Sequence, residues 1–245
     1  MQNKMKIYQK NINNNFGFKR ISEKDIGCDE NGNIAYGYQH HDALWWENSP
    51  IKRNEATTTL TMQEAISSFD YIFEKLTYNI HTYIKPKNIL DLGCGNGQLT
   101  QKLRKYGIIT ATVDANKDTI HSPYIDENHF IGRTDKELIF VDENNKQIKF
   151  DLVISLEHFE HVSEETFDTL MQNISNHTHE NSYLIFTAAN WKYDTEDKKH
   201  IHCNLKDKNE WIKYIEKFKF QNIEKLFNID RGGNSHEIFA KKLIN

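Results

Sequence analysis

The sequence predicts an α/β fold, a mostly parallel sheet with helices on both faces. Two observations carry that prediction. From residue 86 onward, short apolar runs alternate with segments of three- and four-residue apolar spacing, the order of successive strand–helix–strand units. Within that region Ile89 to Thr100, ILDLGCGNGQLT, runs an apolar strand into a glycine loop and straight into a helix. Such a junction turns backbone N–H groups toward a nucleotide-type ligand.

The first 85 residues hold no strand–loop–helix unit. They carry an aromatic cluster (Tyr36, Tyr38, Trp45, Trp46) and one helix from Met62 to about Tyr83, where Ile66, Phe69, Ile72, Phe73, Leu76 and Ile80 form one apolar face. That face calls for packing against the sheet, and Pro86 ends the helix because proline disfavours helical geometry in the residue before it. Strands are predicted over Asn88 to Leu92, Ile108 to Asp114, Phe150 to Leu156 and Ser182 to Ala188. Helices are predicted over Gln98 to Tyr106, Glu164 to His177 and Asn209 to Phe218, and the stretch between Asp114 and Phe150 reads as irregular. Two last strand-like runs, Asn222 to Ile229 and Ser235 to Leu243, flank the turn Asp230-Arg231-Gly232-Gly233-Asn234, a hairpin connection. The chain divides into residues 1–85, a helical and aromatic lid, and residues 86–245, the core.

Composition narrows the function. Thirty-five acidic against 31 basic residues give a formal net charge of -4, an acidic balance that argues against nucleic acid as the main partner. Cys28, Cys94 and Cys203 are scattered, which disfavours a disulfide framework or a cysteine zinc site and points to a reducing cytoplasm. No run reaches the roughly 18 apolar residues of a membrane span, and MQNKMKIYQKNINNN has no apolar signal core, so no membrane partner is predicted.

The loop itself excludes the commonest dinucleotide pattern. Gly93, Gly95 and Gly97 make G-x-G-x-G, whereas a dinucleotide fingerprint would place its third glycine at Gln98. Asp91 would repel a pyrophosphate and attract a ligand that carries an ammonium and a sulfonium group. At the end of the next strand Asp114, in ATVDAN, can accept both hydroxyls of a ribose; a helix-cap or turn role is the alternative for that acid.

On these residues the chain resembles the class I S-adenosylmethionine (SAM) methyltransferases, whose first motif is written in much the same way. The resemblance implies a Rossmann-like, seven-stranded sheet closed by a C-terminal antiparallel hairpin, with SAM as cofactor. It assigns cofactor contacts to Asp91, Gly93, Cys94, Gly95, Gly97, Asp114, Ala115, Leu156 and Glu157. Asp142 is the position where related enzymes place an acid near the adenine amine, although Asp142 to Lys146 is also a good turn sequence. FDLVISLEHFEHVSEE, Phe150 to Glu165, resembles the fourth-strand segment, and residues leaving the carboxyl end of that strand face the ligand crevice. Glu160 and His161 read as residues that cap and orient the next helix. No metal is predicted, because the histidines of HFEH are three apart with no accompanying metalloprotease pattern.

Phe186-Thr187-Ala188-Ala189, His202-Cys203-Asn204 and Trp211 are similar in spacing to methyltransferases that act on sugars and surface polysaccharides. Two departures bear on the acceptor: charged NWKYDTEDKK replaces a glycine-rich loop, and His200 precedes the pattern. Methyl transfer to oxygen requires an aligned nucleophile and removal of its proton. Histidine suits that task, which ranks His202, then His158, then His200 as the base. His40, His41 and Asp42, beside Trp45 and Trp46, form either an acceptor lid or an aromatic anchor. The predicted function is O-methylation of a small polar acceptor: a sugar, a sugar nucleotide, or a phosphorylated or phosphoramidate precursor of a bacterial surface polysaccharide. Lys52, Arg53 and Lys192 are possible partners for an anionic acceptor. The alternatives are a SAM-binding protein without catalysis and a methyltransferase for another acceptor class.

Overall fold

Aliphatic and β-branched runs without polar interruption form the inner strands of one sheet. The computed structural model describes residues 5–9, 62–115, 119, 122, 124–192, 202–229 and 235–243, with the backbone alone over 62–70. In chain order the elements are β1 (Tyr8–Gln9), α1 (Met62–Asn79), β2 (Asn88–Leu92), α2 (Gln98–Lys105), β3 (Ile109–Asp114), β4 (His129–Ile131), β5 (Phe140–Val141), β6 (Phe150–Leu156), α3 (Glu164–Asn176), β7 (Thr178–Ala189), α4 (Lys208–Glu216), β8 (Phe220–Asn222) and β9 (Ser235–Lys242). Seven strands pair in the order β4-β3-β2-β6-β7-β9-β8. The pairs from β4 to β7 are parallel, and β9 runs antiparallel to both β7 and β8. This is the predicted architecture, with its C-terminal hairpin. Strand order reverses between β2 and β6, and the carboxyl ends of those strands therefore border the ligand crevice of such a sheet.

Alternation along the strands sends side chains to two layers. Leu90, Leu92, Ala111, Val113 and Val153 pack with Phe167, Leu170, Met171 and Ile174 of α3 and with Trp211 and Ile215 of α4. Ile89, Leu152, Ile154 and Ile185 pack on the other face with Leu99 and Leu103 of α2 and with Leu76 of α1 and Ile80 just beyond it. The part of the predicted apolar face at Phe73, Leu76 and Ile80 thus meets the sheet, while Tyr71 and Tyr78 are exposed. After α1 the chain makes a wider helical turn, Ile80–Ile84, and Lys85 closes it in the left-handed region (φ 55°) with its N–H on the Ile80 carbonyl. Pro86 follows directly, at the predicted stop.

Trp211 fixes α4. It is fully buried, with its ring centroid 5.3 Å from that of Phe167, 5.9 Å from Phe186 and 6.0 Å from Phe159. Trp211→Ala leaves a void that these three rings cannot close, and urea unfolding should show a loss of about 3–5 kcal/mol.

Three departures from the sequence reading have physical reasons. The stretch read as irregular contains β4, whose three residues are too few to show a pattern, and β5, which pairs with β1 in a second, two-stranded sheet. β1 comes from the segment read as lid: Ile7 joins the core, and its N–H donates to Asn128 Oδ1 at 3.1 Å. β8 spans Phe220–Asn222 instead of Asn222 to Ile229; Phe227 and Ile229 are apolar because they bury against the sheet, not because they pair in it. The turn at 230–234 and the cluster of residues 36–46 lie outside the described residues, as do Lys52, Arg53, His200 and Cys28. No helix among the described residues is long and apolar enough to cross a membrane.

Candidate cofactor and acceptor site

β2 delivers the glycine loop between its own end and the start of α2. The N–H groups of Gly93 and Cys94 both donate to the Val113 carbonyl, at 2.9 and 3.2 Å, which pins the loop to β3. Gly93 has φ 70°, and a Cβ there would lie 2.5 to 2.8 Å from ring and Cβ atoms of His158. Only glycine lets the loop lie on that imidazole. Gly95, at φ 55°, differs in that a Cβ would meet nothing within 4 Å, so its face is open to a ligand. Its N–H donates to Asp114 Oδ2 at 2.8 Å, which joins the loop to the end of β3 and brings Asp114 to the same cleft. Ala115 follows Asp114 at the half-buried strand end, and Gly97 caps α2.

Two acids therefore flank the loop. Asp91 is buried, 3% exposed. Burial first, and the neighbouring Asp114 second, push its pKa up to about 8, against a smaller opposite pull from Arg104. A cationic ligand group would reverse that shift. Cys94, in the same loop, is also pushed up well above the usual thiol range by burial, with Asp114 and Asp91 acting in the same sense. Such a thiol is not a nucleophile at neutral pH. Behind the loop His129 is clamped between Thr112 and Thr119 hydroxyls at 2.8 Å each, and burial lowers its pKa to about 4.

The carboxyl end of β6 supplies the opposite wall. Ser155 donates to the Leu92 carbonyl at 2.9 Å, which ties β6 to β2. His158 Nδ1 lies 3.0 Å from Ser155 Oγ and Nε2 lies 3.0 Å from Thr134 Oγ1, and burial holds its pKa down at about 4. Both ring nitrogens are engaged and the ring is a poor proton acceptor. This corrects the second-ranked base: the geometry makes His158 the support under Gly93. Leu156 is half-buried and pairs with Thr187, and Glu157 has a left-handed φ of 50°. That conformation costs a non-glycine residue about 1–2 kcal/mol. Thr187 holds it by accepting the Glu157 N–H on its carbonyl (3.1 Å) and hydroxyl (2.9 Å), and Ser235 donates to Glu157 Oε2 at 2.8 Å.

One turn further, residues from three segments meet. Glu160, buried, accepts the Ala189 N–H on Oε1 at 3.1 Å, and its carbonyl accepts the Asn204 N–H at 3.1 Å. The rings of His161 and His202 stack edge to face at 5.0 Å. His202 Nδ1 bonds the Trp191 carbonyl at 2.6 Å. A carbonyl only accepts, so Nδ1 carries the proton and Nε2 the lone pair. One donor atom from each of Glu160, His161 and His202 falls within 4.8 Å of the others. Sequence reasoning singled out His202 and missed its partners, because Glu160 and His161 read as helix caps and lie far from it in sequence. Of the two histidines of HFEH, His161, and not His158, joins the cluster. Asp142 Oδ1 accepts the N–H groups of Asn144 and Lys146 at 2.9 Å each, the turn role that the sequence offered as its alternative. Lys192 is exposed.

A sheet in this order, a glycine loop after the strand beside the reversal point and an acid at the end of the next strand together define the class I methyltransferase fold. Residues 63–228 match the family described as "Methyltransferase domain", and the chain belongs to that family. Among curated proteins it is similar to the ubiquinone biosynthesis O-methyltransferase of Rickettsia akari, at 30% identity over 127 residues that cover 49% of this chain and 47% of that protein. It is also 26% identical, over 162 residues covering 62% of the chain and 54% of the relative, to the probable S-adenosyl-L-methionine-dependent methyltransferase TehB of Haemophilus influenzae. The chain thus matches about half the length of these relatives. Among solved structures, the 1,6-didemethyltoxoflavin-N1-methyltransferase of Burkholderia thailandensis, with bound 1,6-didemethyltoxoflavin and S-adenosylhomocysteine, aligns with a TM-score of 0.54 at 11% identity. That alignment covers 73% of this chain and 81% of the other, and it shows a common fold.

Proposed function

We propose that the chain is a SAM-dependent methyltransferase that methylates an oxygen of a small polar acceptor, with sugars and their phosphorylated derivatives as the leading class. The observation that carries the cofactor is the pair Asp91 and Asp114 around a glycine loop whose Gly95 face is open. An ammonium group beside Asp91 and a ribose on Asp114 satisfy both acids. When bound, SAM would supply the methyl group and the sulfur leaving group, giving S-adenosylhomocysteine (SAH), and the acceptor hydroxyl would give up one proton. The protein's part is alignment and proton removal. Proton removal is assigned to the Glu160–His161–His202 cluster, with His202 at its centre.

Oxygen as the acceptor atom is supported by the relatives named for O-methylation in ubiquinone biosynthesis. The sugar class rests on the resemblance in spacing, of whose residues Ala189, Asn204 and His202 converge at Glu160. A phenolic hydroxyl, which the relatives' names suggest, is the competing acceptor. Asp114→Ala should weaken SAH binding in calorimetry by about tenfold or more, the loss of a charge-assisted pair of hydrogen bonds. Labelled-methyl transfer to panels of sugars, sugar phosphates and phenols, followed by mass spectrometry, locates the new bond. Methyl found on nitrogen would overturn the oxygen assignment; tight SAM binding with no product from any panel would favour a non-catalytic binding protein.

A further inference from the structure

We infer that Glu160, His161 and His202 form a binding site for one divalent first-row transition-metal cation. This deepens the acceptor-side reading proposed above, and its geometry stands without that reading. The three donor atoms come from two separate segments, the turn after β6 and the approach to α4, and already lie within 4.8 Å of one another. Bound to a cation at roughly 2.0–2.2 Å, such atoms lie about 3–4 Å apart, so closing the site takes side-chain shifts of an ångström or so.

Two of the three donors, His202 and Glu160, are oriented by contacts of the fold. The Trp191 carbonyl holds His202 Nδ1–H and thereby presents Nε2 as the ligating nitrogen. The Ala189 N–H holds one oxygen of Glu160. Outer contacts of this kind set the tautomer and direction of metal ligands. Glu160 and His202 are buried, and a carboxylate buried beside imidazoles gains from a cation that compensates its charge.

A second, independent observation points the same way. Asn204, 2% exposed and bonded through its N–H to the Glu160 carbonyl, has neither side-chain polar atom paired among the described residues. Oε1 of Glu157, three residues before Glu160, is likewise buried and unpaired among them. Buried amide and carboxylate atoms are satisfied in nearly all proteins, and water molecules completing a cation's coordination shell would satisfy these. Two imidazoles and one carboxylate suit manganese, iron, cobalt or zinc better than magnesium or calcium, which favour all-oxygen shells. At this place the cation would draw the acceptor oxygen and make its proton easier to lose, and this would replace direct proton transfer to His202, whose Nε2 would be a ligand.

The test uses the full chain, stripped with chelator and titrated with Mn2+ (loss of the free-ion paramagnetic resonance signal) and with Co2+ (visible absorption bands). One equivalent of each should bind. His161→Ala and His202→Ala should each weaken Mn2+ binding by more than about tenfold, in protein whose circular dichroism matches wild type. Should His202→Ala fail to fold, the less enclosed His161→Gln gives the same reading. Absence of stoichiometric Mn2+ and Co2+ binding by the wild type, or unchanged binding by the His161 variants, overturns the site. SAH titrated into the same stripped protein reads the cofactor cleft separately: SAH binding without metal binding sinks this inference alone, and metal binding without SAH binding sinks the proposed function alone.

Discussion

Replacing Gly93 with alanine abolishes SAH binding at concentrations that saturate the wild type, while the protein retains its sheet. The new methyl group would sit 2.5 to 2.8 Å from His158, in a backbone conformation of φ 70° that costs an alanine about 1–2 kcal/mol by itself. His158 cannot swing aside, because Ser155 and Thr134 hold its two nitrogens. The loop must therefore lift, and its bonds to the Val113 carbonyl and the Asp114 carboxylate loosen with it. A loss of about 100-fold or more in affinity, near 2.7 kcal/mol, is expected from calorimetry. Thermal unfolding of the same variant should fall by several degrees, consistent with strain of a few kcal/mol. Gly95→Ala is the control: nothing lies within 4 Å of its Cβ, so it should cost stability only through its φ of 55° while still obstructing the ligand. Wild-type SAH affinity in Gly93→Ala would show that the loop does not rest on His158.

Stability of the ligand-free protein reaches its maximum near pH 6.5. His129, His158 and His177 are each lowered by burial from 6.5 to about 4. His177 is enclosed with Nδ1 on the Asn173 carbonyl at 2.8 Å and Nε2 accepting the Phe140 N–H at 3.0 Å. Below pH 6.5 the unfolded chain takes up protons that the folded chain refuses until about pH 4. The stability these residues contribute is therefore whole above 6.5 and lost on acidification between those values. Asp91 acts with the opposite sign. Its folded pKa is raised from 3.8 to about 8, so the folded chain keeps a proton that the unfolded chain releases, and the cost grows as pH rises between those values. Each group changes stability by about 1.4 kcal/mol per pH unit at most. Three histidines against one aspartate give an acid arm of about 3 kcal/mol per pH unit, and Asp91 alone gives an alkaline arm of about 1.4 kcal/mol per unit up to pH 8. Urea midpoints between pH 5 and 8.5 should trace this asymmetric peak. Saturating SAH, whose ammonium group favours ionised Asp91, should flatten the alkaline arm. A midpoint that stays level from pH 5 to 6.5 would contradict the burial of these histidines as neutral rings.

Strands whose residues are buried on both faces were legible because unbroken apolar runs leave no second interpretation: β2 and β6 fall on their predicted limits. β4 was hidden, since three residues between polar neighbours show no period, yet it continues the sheet beside Asp114 by pairing Asp114 with Ile131. The glycine loop and Asp114 were readable as a cofactor pattern because a backbone that must approach a ligand needs residues without Cβ, and that need is written locally. The acceptor side was readable only in part. His202 stood out by position, but its association with Glu160 and His161 depends on two segments folding together. The same holds for His158, whose place under Gly93 is a tertiary fact. Asp142 shows the converse: the local turn read in its sequence bonds one oxygen of its carboxylate.

Isothermal titration of the full chain at pH 7.5 with SAM, SAH and NAD addresses the central claim most directly. Asp91, Asp114 and the Gly95 face predict one equivalent of SAM or SAH bound with a Kd of roughly micromolar or tighter, about -8 kcal/mol, and no heat from NAD. NAD binding in the absence of any SAM or SAH binding would contradict the account.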